Sequence, residues 1–368
     1  MLIDLLVAIL IVAAIGWLVA AVHLQGADLS AFDRPTGERF GFDGPPSPAM
    51  QNVIDWLARL RTEIDAVPLR RRTALLRRMV DEAFAGRVLD ARFTPVDAAG
   101  VAAEWVLAPR SDPARRTLYI HGGAFMAGSP ASHRTLTSRF SALTGGAVLS
   151  IDYRLMPEHL RRVGIEDCRA AYRWMLDHGP AGAGPASAVF VAGDSAGGNL
   201  TLSLIAWVRD QGLRAPDAAV ALSPATDSSF GSPSLRANRP TDLMLGPVLG
   251  GLTRVPRAVL LWSSWLLMRI NPRDPVVSPV YGDLSRLPPV LVHASEVEML
   301  RDDCRRYVNR AQAAGSPVRL QTWNHMVHVW QLFNPELPEA QQALAEIGKF
   351  IAAASPPSPS TEAASHVR

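Results

Sequence analysis

The pattern of apolar and polar positions divides the chain into regions of different kind. Leu2 to Val22 reads LIDLLVAILIVAAIGWLVAAV, apolar all round apart from Asp4 and without a basic side chain. As a helix rising about 1.5 Å per residue, this run spans roughly the 30 Å hydrocarbon thickness of a bilayer. A helix buried in a soluble domain usually keeps a polar face, and a cleaved signal peptide usually has a basic n-region, whereas here only the terminal amine precedes the run. The expectation is a single-pass membrane anchor over 1–24. Arg34 and Arg39 follow it and nothing basic precedes it, which favours a cytoplasmic C-terminal side.

Residues 25–100 read as a linker and two helices. Gly26 to Pro48 is rich in Gly, Pro and Asp, as in a loosely packed arm. Helical patterns follow over 48–66 and 68–85. In the first, Val53, Trp56, Leu57, Leu60 and Ile64 fall on one face. The second carries Arg70, Arg71, Arg72, Arg77 and Arg78, a charge run that reads as a solvated face or as a contact with anionic lipid headgroups beside the anchor. Residues 354–368 have the composition of a disordered tail.

The main body, 101–353, alternates short apolar runs with longer helical patterns. Candidate strands are Ala103–Leu107, Thr117–Ile120, Ala147–Ile151, Ala188–Ala192, Ala218–Leu222, Val290–His293 and Val318–Thr322. That alternation predicts an α/β fold with a mostly parallel sheet, whose chemistry collects at the C-terminal ends of the strands. Composition agrees with a large core: of 368 residues, 48% are hydrophobic and 19% charged. A formal net charge of +3 is too small to imply nucleic acid. Two distant cysteines, Cys168 and Cys304, exclude a disulfide-rich scaffold and a cysteine-based zinc site.

The most specific motif is Gly193-Asp194-Ser195-Ala196-Gly197, placed directly after the strand Ala188–Ala192 and before a helical stretch over Leu200–Arg209. A nucleophile on a sharp strand-to-helix turn needs small flanking residues, and the helix N-terminus aims N–H groups at developing negative charge. Just after the strand Thr117–Ile120 comes His121-Gly122-Gly123-Ala124-Phe125. Gly122 and Gly123, with the N–H of Ala196, are the expected oxyanion hole. His121 reads as a residue that orders the loop.

A serine nucleophile needs a base, and the base an orienting acid, each expected just past a late strand. Glu296, Glu298 and Asp302 compete for the acid after Val290–His293, while His325 and His328 compete for the base after Val318–Thr322.

These motifs together resemble the hormone-sensitive-lipase-like group of α/β-hydrolases, which includes bacterial carboxylesterases and arylacetamide deacetylase. The resemblance runs from about 101 to 350 through HGGAF at 121–125, DYRLMPEH at 152–159, GDSAGGN at 193–199, and EMLRDD at 298–303 with the later HMVHVW. It implies an α/β-hydrolase fold with a helical cap formed by the two N-terminal helices and a second segment at about 230–270. It also implies that Glu298 is the acid and His328 the base, with Asp302 structural. Ala124, Phe125 and His325 would then line the substrate site. This chain departs from the family pattern at Ala124, where many members have a third glycine, and at Glu298, where many have Asp. A further departure is Leu160–Gly164, which brings charge where an apolar turn is usual.

The expected chemistry is two-step acyl transfer on short- to medium-chain acyl esters. Ser195 attacks, His328 moves the proton and Glu298 steadies the imidazolium, with no metal or organic cofactor called for. An arylacetamide-type amidase and a non-catalytic binding protein on the same fold are the competing readings. The apolar run Pro256–Ile270 is too short to cross a bilayer, and reads as a buried or cap helix or as a surface dipping into the membrane interface.

Overall fold

The computed structural model describes residues 1–41 and 45–355, and the side chains of Leu69 and Arg70 are outside that description. The tail expected over 354–368 therefore lies, beyond Ser355, outside the described residues. A nine-stranded sheet organises the body. Its strands are β1 Glu38–Phe40, β2 Arg92–Asp97, β3 Ala102–Leu107, β4 Asp112–Ile120 and β5 Gly146–Ile151. They continue with β6 Ala188–Asp194, β7 Ala218–Leu222, β8 Val290–Ser295 and β9 Val318–Trp323. The spatial order is β1-β9-β8-β7-β6-β4-β5-β3-β2. Neighbours from β1 to β5 in that order are parallel, and β3 and β2 add an antiparallel edge.

The long helices are α1 Leu2–Val19, α2 Pro48–Asp65, α3 Leu69–Glu82, α4 Arg134–Thr144 and α5 Arg161–Asp177. They are followed by α6 Ala196–Asp210, α7 Arg257–Met268, α8 Arg301–Ala313 and α9 Pro338–Ala354. Ile165 and Cys168 of α5, Leu200 and Leu204 of α6, and Cys304 and Tyr307 of α8 build one core. Leu136 and Phe140 of α4 with Leu344 and Ile347 of α9 build another. Because helices cover both faces, β5, β6, β7 and β8 are buried along their whole length. Their continuous apolar runs are what made them legible in the sequence.

The two strands that the sequence reading lacked, β1 and β2, are the two edges. Strand β2 is mostly exposed and contains Pro95, tolerated at an edge because a lost N–H breaks no central ladder. Strand β1 arises inside the stretch read as a loose arm, which is in part packed. Phe40 stacks on Trp323 at 4.6 Å, Asp33 pairs with Arg306, and the amide of Asn324 donates to the Phe40 carbonyl at 3.1 Å.

Helix α2 buries Met50, Val53 and Leu57 against Trp323, Trp330 and Phe333, while Trp56, Leu60 and Ile64 of the expected stripe stay half-buried. Helix α1 is exposed over nearly all of its length, and continues as a wider turn through Leu24 that packs on α7. Trp262 Nε1 donates to the Gly16 carbonyl at 2.9 Å.

Candidate active site

The catalytic candidates all sit at the C-terminal edge of the parallel strands. Ser195 joins β6 to α6 with φ 52° and ψ −115°, a conformation that L-residues avoid and that persists only when neighbours hold it. Two contacts do so: the Ser195 N–H donates to the Leu222 carbonyl at 2.7 Å, and its carbonyl accepts from Asn199 at 3.0 Å. The turn also depends on close approach. A Cβ on Gly193 would lie 2.6 Å from the carbonyls of Gly197 and Ile120. The G-x-S-x-G pattern is thus a steric requirement of the crossing with β4.

His328 and Glu298 are brought together. His328 Nδ1 lies 2.9 Å from Glu298 Oε2, and both side chains are buried. Glu298 Oε1 accepts the Ser295 N–H at 3.0 Å. The acid loop is clamped from the segment after β7: Asn238 donates to the carbonyls of Glu296 and Glu298, and Asp242 accepts the Met299 N–H at 2.8 Å. Burial works against charge on His328, but the hydrogen bond and charge of Glu298, with Asp242 and Asp194 beyond, outweigh it and lift its pKa above 6.5. On Glu298 burial acts upward, opposed by His328. His328 Nε2 is buried and has no hydrogen-bond partner among the described residues. An oriented imidazole with one free nitrogen is what a general base requires.

The competing acids are otherwise engaged. Glu296 is bound by Arg305 at 2.7 Å, and Asp302 accepts the Ser234 N–H at 2.9 Å while pairing with Arg301 and Arg305. His325 is half-buried, with φ 60°, three residues before His328. His121 is fully buried, stacked 4.4 Å from Tyr153, and pushed down to about 3 by burial, so it is neutral at physiological pH.

One expected site residue is already engaged. The Gly122 N–H is already committed to Asp194 Oδ1 at 3.1 Å, so it is not free to receive an oxyanion. A Cβ at Gly122 would collide with that carboxylate. The N–H groups of Gly123 and Ala124 have no partner among the described residues. Gly123, Ala124 and Phe125 all adopt positive φ, of 112°, 55° and 62°. The loop therefore turns sharply one residue later than the sequence suggested, and Ala124 becomes a donor candidate rather than only a lining residue. Phe125 lies under the Arg161 guanidinium, 3.7 Å away.

Three positioning residues escaped the sequence reading. Asp194 also accepts Tyr119 Oη at 2.8 Å and faces His133 Nε2 at 3.3 Å. Burial opposes both charges, but each holds the other: Asp194 is lowered and His133 raised. Ser223 Oγ accepts the Val329 N–H at 3.4 Å, joining the end of β7 to the histidine loop. Arg77, within the charge run read as solvated, turns inward. It donates to the Met126 carbonyl at 2.6 Å, to that of Met156 at 2.9 Å, and to both oxygens of Glu158.

Comparison with known proteins places the fold. A model of the alpha/beta hydrolase fold matches residues 117–332. The chain is 38% identical to an acetyl-hydrolase of Streptomyces hygroscopicus over 249 residues, which cover 68% of this chain and 79% of that one. It is 32% identical to the carboxylesterase/phospholipase LipF of Mycobacterium tuberculosis over 265 residues, 70% of this chain and 68% of the relative. A crystal structure of an esterase from the bacterial hormone-sensitive lipase family superposes with a TM-score of 0.72 at 36% identity, covering 84% of this chain and 98% of the other. The chain belongs to the α/β-hydrolase family, among the ester hydrolases of its hormone-sensitive-lipase-like group.

Proposed function

We propose that this protein is a membrane-anchored serine carboxylesterase that cleaves short- to medium-chain acyl esters. Ser195, His328 and Glu298 act as nucleophile, base and orienting acid. The observation that carries the reading is the buried 2.9 Å contact between His328 Nδ1 and Glu298, which leaves Nε2 unpartnered. Ser195 attacks the ester carbonyl as His328 Nε2 takes the hydroxyl proton. The resulting oxyanion is received by the N–H groups of Gly123, Ala124 and Ala196. His328 then protonates the departing alcohol, and water repeats the sequence on the acyl-enzyme. Each oxyanion donor of this kind is worth about 3 kcal/mol of transition-state stabilisation.

Helices α2 and α3 and the segment at about 230–270 cap the site, and Phe125 and His325 line it. The ligand is a small acyl ester. Anchoring is supported by the 23-residue apolar helix Leu2–Leu24, which is exposed over nearly all of its length. A core helix of a soluble domain would bury far more of such a surface.

The test is hydrolysis of p-nitrophenyl butyrate by Ser195→Ala, His328→Ala and His325→Ala. The first two lose activity together while the third retains most of it. Equal loss in His325→Ala and none in His328→Ala overturns the assignment of the base.

A further inference from the structure

Resting on the anchored-esterase reading, we infer that α7 lies in the same bilayer leaflet as the C-terminal end of the anchor, so that the enzyme draws acyl esters dissolved in that leaflet. The starting point is depth. A hydrocarbon layer of roughly 30 Å takes about 20 helical residues, and the apolar helix runs from Leu2 to Leu24. Gly16 is eight residues from its end, about 12 Å along the axis. Any element packed beside Gly16–Leu24 shares the depth of the headgroups and the outermost acyl segment.

Helix α7 is that element. Trp262 Nε1 donates to the Gly16 carbonyl, while Ala20 and Leu24 pack against Leu261 with Ala258, Trp262 and Trp265 around them. Immediately after α7, Asn271 and Arg273 donate to the carbonyls of His23 and Val22 at 2.8 and 3.1 Å. The contact is thus specific at both ends, made of side chains reaching the anchor's own carbonyls.

At 100° per residue, α7 turns successive faces to the anchor, the body and the outside. Ala258, Leu261, Trp262 and Trp265 meet the anchor, while Leu260, Ser264 and Met268 are buried on the body. The remaining face carries Val259, Leu266 and Leu267, exposed at 51%, 52% and 52%. Leu266 borders the anchor contact, about 40° round the helix from Trp262, and the exposed face continues from it through Val259 to Leu267, so it is set against the lipid that surrounds the anchor. Tryptophans at the seam and the exposed Arg269 and Arg273 beyond it are the side chains that favour the headgroup level. The inner side of α7, through Leu260, lines a largely apolar cavity of about 70 Å³ that Met299, the residue after Glu298, also lines. A single helix thus has lipid on one side and the neighbourhood of the triad on the other.

The experiment uses the full chain in phosphatidylcholine vesicles, with a nitroxide label in turn at Ile9→Cys, Leu267→Cys and Val88→Cys. The native Cys168 and Cys304 are buried. The inference requires that the labels at 9 and 267 be relaxed more by oxygen than by a water-soluble nickel complex, and that the label at fully exposed Val88 show the reverse. A water-exposed label at 267 beside a lipid-exposed label at 9 overturns the placement of α7 and leaves the anchor standing. Water exposure at both positions overturns the anchor as well. In parallel, the double variant Leu266→Glu, Leu267→Glu is expected to cleave vesicle-dissolved p-nitrophenyl decanoate at least tenfold more slowly, while its rate on p-nitrophenyl acetate in water stays within twofold. Equal rates on both esters in variant and parent overturn delivery from the leaflet.

Discussion

The backbone N–H of Gly122 donates to Asp194 Oδ1, so the residue before the nucleophile holds the loop that faces it. The Asp194 carboxylate meets Tyr119, Gly122 and His133 together. Nucleophile turn and glycine loop therefore share one buried carboxylate, and the position of the oxyanion donors follows from it.

Asp194→Ala removes that anchor. Loss of alignment at two or more donors lowers kcat on the order of 100- to 1,000-fold, with KM changed far less because the donors act mainly in the transition state. Asp194→Asn keeps an oxygen for Tyr119 and Gly122, and is expected to retain more activity. Steady-state kinetics on p-nitrophenyl butyrate separate the two, and an unchanged kcat in Asp194→Ala refutes the role.

Glu298→Gln keeps the shape of the acid and removes its charge. The variant loses the tautomer control and charge stabilisation that Glu298 gives His328, so kcat falls by about three to four orders of magnitude. Its acid limb also moves to lower pH, since the hydrogen bond that lifts His328 is weakened. A pH–rate series on both proteins reads both effects.

The parent enzyme itself has a defined pH response. The base must be neutral, and the His328 pKa is raised above 6.5. Activity therefore increases with pH through a midpoint above 6.5 and then levels. A kcat/KM profile already flat at pH 6 contradicts the buried pairing with Glu298.

Stability should fail in acid for a separate reason. Burial holds His121 and His293 down to about 3, against 6.5 when unfolded. Between those values the unfolded chain binds more protons, so stability is full above about 6.5 and is lost as pH falls towards 3. His293→Gln deletes one such group, whose ring contacts Gln321 at 3.0 Å and Trp323 at 4.6 Å. Urea midpoints at pH 7.5 and 4.5 should differ less in this variant than in the parent.

Arg77→Ala frees the loop carbonyls of Met126 and Met156 from α3. Misplacement of the loop next to the oxyanion donors costs on the order of 10- to 100-fold in kcat/KM. Arg77→Lys does not restore it, because one ammonium cannot match a planar fork that reaches two carbonyls and a carboxylate. Exposed Arg78 provides the control: Arg78→Ala leaves kcat/KM unchanged.

Central strands and the nucleophile turn were legible because burial on both faces writes an uninterrupted apolar run, and a strained turn demands small neighbours in fixed positions. The acid and base needed more than spacing, since Glu296, Glu298 and Asp302 all occupy one loop. Only their partners, Arg305 for Glu296 and Ser234 with two arginines for Asp302, tell them apart. The Gly122–Asp194 bond was not legible because a backbone N–H carries no sign in the sequence of what it donates to. Arg77 was hidden for a related reason: among five arginines in one run, direction depends on the rotation of the helix against the body. Edge strands β1 and β2 leave weak patterns because half or more of their residues meet water.

The edge strand Glu38–Phe40 has a practical consequence for anyone cutting the N-terminal apolar helix away. It is hydrogen-bonded along β9, Arg39 Nε donates to Asn324 Oδ1 at 2.7 Å, and Asn324 is four residues before His328. A shortened chain that starts after Phe40 would bare a sheet edge and loosen the base of the histidine loop. One that starts between Gln25 and Leu29 keeps this brace, and also the Asp33–Arg306 pair, while discarding the apolar helix. The place to cut is set by where the polypeptide leaving the apolar helix first becomes part of the catalytic body, well before the first long helix of that body begins.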